Sequence, residues 1–134
     1  MRVCLAALFS LLLAPLAGAS AQTVESFYAG RTLDLIVGFP PGGNYDLFAR
    51  PIARNLGKYI PGAPNVVIKY MPGAGSIVAA NHVYGVAPKD GTVLAIVSPT
   101  GPLDARLNPA SVKFKATEFA WIGRIAPQPF AAIV

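Results

Sequence analysis

The sequence has 134 residues, of which 54% are hydrophobic and 13% charged, with a formal net charge of +5. Such an apolar chain is not disordered, despite 13 glycines and 13 prolines. Its basic residues are scattered without aromatic platforms, which argues against nucleic-acid binding and leaves a weak long-range pull on small anions.

Met1 and Arg2 lead into an uncharged apolar run from Val3 to Leu16 and then into Ala19-Ser20-Ala21. This pattern reads as a secretory leader over residues 1–21, cleaved after Ala21. Its apolar stretch is shorter than the ~20 residues that cross a bilayer. The only cysteine, Cys4, leaves with the leader, so neither a disulfide nor a thiolate site is expected.

The first β-rich run is Leu33 to Phe39, followed by Pro40-Pro41-Gly42-Gly43. Tyr45, Phe48, Ala49, Ile52 and Leu56 then recur on one helical face. Asn44 is the expected N-cap, Asp46 places negative charge in the first turn, and Pro61-Gly62 is the expected stop. Pro51 lies inside the pattern and predicts a kink.

The second run, Val66 to Tyr70, leads into Pro72-Gly73-Ala74-Gly75-Ser76. A helix rich in small residues is predicted from Ile77 to Tyr84, with Gly85 as its cap. Ala87-Pro88-Lys89-Asp90-Gly91 turns the chain into a third run, Thr92 to Val97. That run ends in Ser98-Pro99-Thr100-Gly101-Pro102 and opens a short helix interrupted by Asn108-Pro109. The continuously apolar centres of the three runs suit strands covered on both faces, hence a parallel sheet.

Strand, Gly/Pro/Ser loop and helix start therefore repeat three times. Right-handed crossovers gather the three loops at one carboxyl edge. Proline fixes the exit from a strand and glycine lets main-chain amides turn outward. The unpaired N–H groups of the next helix then attract anions.

Other chemistries find little support. No phosphate-binding GxxxxGK[ST] is present, and the partial GxGxxG at Gly73 fails at Val78. His82 stands alone, favouring a structural histidine, and no His, Cys or carboxylate cluster offers a metal site. Asp34, Asp46, Asp90, Asp104 and Glu118 are spread over different elements, so none forms a local acid/base pair. Arg50 and Arg54 read as a solvated basic stripe. What remains is binding, with main-chain N–H groups holding a carboxylate through charge-assisted hydrogen bonds. A small exported hydrolase using Ser98 or Ser76 with His82, or a fragment that binds nothing, are the alternatives.

The segments LDLIVGFPPGGNYDLFAR and NVVIKYMPGAGSIVAANHVYGVAPKDGTVLAIV resemble the Bug-type periplasmic solute-binding receptors of tripartite tricarboxylate transporters. The resemblance rests on FPxGG-x-x-D-x-x-AR, PGAGS and APKDGT together and covers most of the chain after the leader. It implies a non-catalytic, cofactor-free α/β lobe of the periplasmic-binding-protein type, a parallel sheet flanked by helices, spanning residues 22–126. It also implies a carboxylated ligand, membrane permease subunits as partners, and a monomer when full length. Carried onto this sequence, the ligand contacts are Phe39, Gly42, Gly43, Asn44 and Asp46 from the first loop, Gly75 and Ser76 from the second, and Ser98 and Thr100 from the third. Asn44 and Pro41 depart from the small hydroxyl residue and the alanine common in the family, so ligand choice does not carry over. Residues 127–134 read as a crossover and the start of a second lobe, the rest of which is missing. One lobe supplies only half of such a site.

Overall fold

A computed structural model describes residues 22–126 of the chain. The leader and the crossover read at 127–134 lie outside the described residues.

The central strand β1 (Thr32–Val37) is the apolar heart of the sequence, and Leu33, Leu35, Ile36 and Val37 are all buried in it. Burying a side chain of this kind contributes about 1.5–3 kcal/mol, so β1 anchors the sheet. It pairs in parallel with β2 (Asn65–Tyr70) on one side and with β3 (Val93–Ile96) on the other, giving the order β2-β1-β3. The expectation of strands covered on both faces holds for β1 only. In β2, Val66, Ile68 and Tyr70 turn inward while Asn65, Val67 and Lys69 are exposed, the period-2 pattern of an edge strand. On that open face Lys69 meets Asp34 at 2.6 Å.

Helix α2 (Asn44–Leu56) follows β1 and packs Tyr45, Ala49, Ile52 and Ala53 against Leu35, Val37 and Ile96. Phe48, expected on this apolar face, is 39% exposed. The helix runs unbroken through Pro51, where the sequence suggested a kink. It ends at Gly57, before the expected Pro61-Gly62 stop, and a 3-10 turn (Gly57–Tyr59) follows. A Cβ at Gly57 would stand 2.3 Å from the Pro64 carbonyl oxygen, so the chain can return to β2 only past a glycine.

Helix α3 (Ile77–Gly85) lies across the opposite face. Ala79 and Ala80 are buried, and Gly38 approaches Ser76 and Ala79, so small residues do allow close packing on the sheet. Gly85 is the last helical residue and Val86 the cap, so the expected glycine cap is not used. A second core joins Ile77 and Ala80 to Phe114, with Tyr84, Val112 and Phe119 around it. Asn81 ties this later segment down: its Nδ2 donates to the Ser111 carbonyl and its Oδ1 accepts from Lys113 N–H.

The short α4 (Gly101–Leu107) ends at Asn108, as the Asn108-Pro109 pair predicted. One helix was not foreseen, α1 (Val24–Tyr28), capped by Thr23, whose hydroxyl accepts from Ser26 N–H. The Tyr28 hydroxyl donates to the Gly91 carbonyl ahead of β3, so α1 braces the amino edge of the sheet. Asp90 shapes the turn there by accepting both the N–H and the hydroxyl of Thr92.

Candidate functional site

Because the three strands are parallel, all their carboxyl ends lie at one edge. Val37 pairs with both Tyr70 and Ile96, so the strands stop at the same level. Hydrogen bonds from Gly38 N–H to the Ile96 carbonyl and from Met71 N–H to the Val37 carbonyl carry the alignment one residue further. The order 2-1-3 places a topological switch point between β1 and β3 at this edge, the position at which open α/β sheets bind ligands.

The first loop is built around Asp46. Gly42, at φ +85°, donates its N–H to Asp46 Oδ2 at 2.7 Å. Arg50, one turn later, donates through Nε to both carboxylate oxygens and through Nη2 to Oδ2, while the Tyr70 hydroxyl donates to Oδ1 at 2.6 Å. Asp46 is 1% exposed with both oxygens engaged, and these partners, Arg50 first, hold its carboxyl well below the usual carboxylate range. Arg50 is thus an ion-pair partner rather than part of a free basic stripe. Asp46 organises the loop and offers no open oxygen to a ligand. The same bond turns the Gly42 amide inward.

Gly43, and not the expected Asn44, is the N-cap of α2, and Asn44 is the first helical residue. A glycine cap has no side chain to close the helix start, so the N–H groups of Asn44 and Tyr45 are left open there, while that of Asp46 donates to the Gly43 carbonyl. Gly43 and Asn44 are both exposed. Phe39 stacks on Tyr45 with centroids 3.8 Å apart and planes 8° from parallel, which walls this rim on its apolar side.

The second loop is left-handed throughout: Gly73, Ala74, Gly75 and Ser76 have φ of 147°, 46°, 62° and 77°. For alanine and serine this conformation costs roughly 1–2 kcal/mol each. The return is position. Ser76 is buried against Gly38, and its Oγ accepts Ser98 N–H at 2.8 Å, stitching the second loop to the third. Gly75 remains exposed.

In the third loop hydroxyls form a chain. Thr100 Oγ1 donates its one proton to Asp104 Oδ2 at 2.8 Å. The 2.7 Å contact between Ser98 Oγ and Thr100 Oγ1 is therefore made with the Ser98 proton. Ser98 Oγ also accepts Thr100 N–H. Both hydroxyls thus present lone pairs, and the donors at this rim are main-chain amides.

Phe39, Gly43, Asn44, Gly75, Ser98 and Thr100 are accordingly at the common rim, with the buried Asp46 and Ser76 and the exposed Gly42 stitching it together. Sequence reasoning missed Gly101, Phe114 and Trp121, which with Gly75, Ser76 and Ser98 line a small apolar depression beside the rim. Among the described residues no side-chain hydrogen bond joins His82 to Ser76 or Ser98, and no group of three His, Cys, Asp or Glu residues could hold a metal ion. No described helix is long and apolar enough to cross a membrane.

A helix-flanked parallel sheet with glycine-rich loops at its carboxyl edge defines an open α/β lobe. A solved structure described as that of a periplasmic transporter shares this fold, with a TM-score of 0.56 and 25% identity over 65% of this chain and 28% of that one. Protein BugT of Bordetella pertussis is 35% identical over 103 residues, 76% of this chain and 31% of that protein. A UPF0065 protein in the gbd 5' region of Cupriavidus necator is 35% identical over 83 residues, 62% of this chain and 24% of that protein. No family model matches. The resemblance to Bug-type proteins read from the motifs thus has a counterpart in the sequence similarity to BugT, and the fold is shared with a periplasmic transporter; the chain spans less than a third of the length of the curated relatives it matches.

Proposed function

We propose that residues 22–126 form the first lobe of a periplasmic receptor that captures a carboxylated small molecule, a di- or tricarboxylate or a related organic acid. The receptor delivers it to the membrane permease subunits of a tripartite tricarboxylate transporter and catalyses no reaction. The observation that carries this reading is the convergence of three loops at one sheet edge, with the start of α2 left open by a glycine cap. Amides of Gly43, Asn44 and Gly75 are the donors assigned to the carboxylate, at about 1.5–3 kcal/mol for each charge-assisted bond. Phe39 supplies an apolar wall, and Ser98 and Thr100 border the ligand from the third loop. The similarity to BugT and to a periplasmic transporter supports the assignment.

Receptors of this kind exclude water by closing two lobes, and one lobe offers half the contacts. Binding to residues 22–134 is therefore expected in the millimolar range. Citrate and succinate titrated into isotope-labelled protein should shift the amide signals of Gly43, Asn44 and Gly75 ahead of those at the amino edge, such as Gly91. No preferential shift at tens of millimolar would remove the carboxylate assignment, and sub-micromolar affinity would remove the half-site argument.

A further inference from the structure

The first and second loops are joined by one side chain that neither loop contains. Tyr70 is the last residue of β2 and stands beside Val37, the last of β1. It continues the inward row of Val66 and Ile68, which directs its ring under α2, and its hydroxyl reaches Asp46. Asp46 in turn holds the Gly42 amide. The second loop starts at the very next residue, Met71. Two hydrogen bonds thus lead from the root of the second loop to the tip of the first, through a carboxylate closed to solvent.

On the other sheet face the same two loops touch where Gly38 meets Ser76, so they are clamped from both sides. The Gly38 clamp is contact between small groups. The Tyr70 clamp hangs on one phenol oxygen. Removing that oxygen leaves Asp46 with three contacts from Arg50 and one from Gly42, so the first loop keeps its own support.

We propose that Tyr70 is a positioning residue, which through Asp46 fixes the spacing between the amides of the first loop and those of the second. The inference builds on the carboxylate reading of the site, since that spacing decides whether Gly43, Asn44 and Gly75 converge on one ligand group.

Amide hydrogen exchange by NMR on the full chain tests it in Tyr70→Phe, Asp46→Asn and the double variant, with Tyr59→Phe at an exposed site as control. Tyr70→Phe is expected to speed exchange about tenfold at Ser98 and Val78, whose N–H groups are held by Ser76 Oγ and the Gly73 carbonyl of the second loop, the effect of losing one hydrogen bond to a charged group. Asp46→Asn, which lies outside the second loop, should do the same, and the double variant should add nothing. Exchange at Ser98 and Val78 within twofold of wild type in Tyr70→Phe, or additive effects in the double variant, would overturn the proposal. If Asp46→Asn does not fold, the Tyr70→Phe result decides alone. In a parallel citrate titration, Tyr70→Phe should weaken the response of Gly75 about tenfold. A wild-type chain blind to citrate would defeat the carboxylate reading while exchange still judged the clamp. Citrate binding with no exchange effect would defeat the clamp alone.

Discussion

Gly38 and Ser76, 38 residues apart in the chain, are in such close contact that a Cβ at position 38 would stand 2.3 Å from the Ser76 Cβ and 3.1 Å from its Cα. Gly38 is the first residue beyond β1 and Ser76 the residue that opens α3, so this contact fixes how near the second loop lies to the first. Gly38→Ala must push the two loops apart or displace α3. Overpacking of this kind costs about 1–3 kcal/mol, with the upper part expected because the obstacle is backbone and Cβ rather than a flexible side-chain end. Urea denaturation monitored by circular dichroism checks it. An unchanged midpoint would mean that the loops slide freely past each other.

Ser76 repays its strained backbone through its hydroxyl. Ser76→Ala keeps φ +77° but leaves the part-buried Ser98 N–H without an acceptor, at a cost of about 1–3 kcal/mol. Ser76→Gly relieves the strain and loses the same bond, so its loss should be the smaller of the two. If the order is reversed, the strain is not stored at Ser76.

The acid response of the fold should centre on Asp46. Its carboxyl is held below the ordinary range in the folded chain, first by Arg50, then by Tyr70 and the Gly42 amide. The unfolded chain titrates at about 3.9. As pH falls the unfolded state therefore takes up the proton first, so this contribution to stability is complete above about pH 5 and shrinks as pH drops through 4 and below. Glu118, paired with Tyr84 and Lys115, and Asp90, bonded to Thr92, shift in the same direction and add to the slope. Denaturation midpoints measured from pH 7 to 3 should fall steeply in wild type and less steeply in Asp46→Asn. Tyr70 gives the mirror effect. Its hydroxyl is held above its ordinary value by Asp46, so its share is present below about pH 10 and lost above it.

Part of this arrangement was legible in the sequence. Apolar runs broken by Gly and Pro mark all three strands, and their repetition marks the common edge, because β1 is buried on both faces and its neighbours end with it. The cap of α2 was misread because asparagine is a strong capping residue, whereas Gly43 takes the extended conformation there and needs no side chain. Asp46 and Arg50 stand at i and i+4, a spacing that pairs opposite charges on a helix, so their ion pair could have been inferred. The Tyr70 bond to Asp46 could not, since it spans 24 residues and exists only once β2 lies beside β1. Nor does sequence announce a left-handed serine, because the conformation is imposed by Gly38 on one side and Ser98 on the other.

The hydroxyl chain of the third loop leads to a prediction that runs against ordinary expectation for a removed polar group. Asp104 consumes the Thr100 proton, and Thr100 consumes that of Ser98, so a carboxylate arriving at this rim meets lone pairs and a nearby negative charge. Asp104→Ala frees one proton from the chain and deletes the charge. It also forfeits a hydrogen bond and a favourable acid in the first turn of α4, so stability should drop by about 1 kcal/mol. Citrate affinity, read from the Gly75 amide, should nevertheless rise several-fold, because Thr100 or Ser98 can then donate. Weaker binding in this variant would mean that the ligand brings its own donor, an alcohol or an ammonium group, to meet these hydroxyls. The third loop would then select hydroxy or amino acids over plain carboxylates.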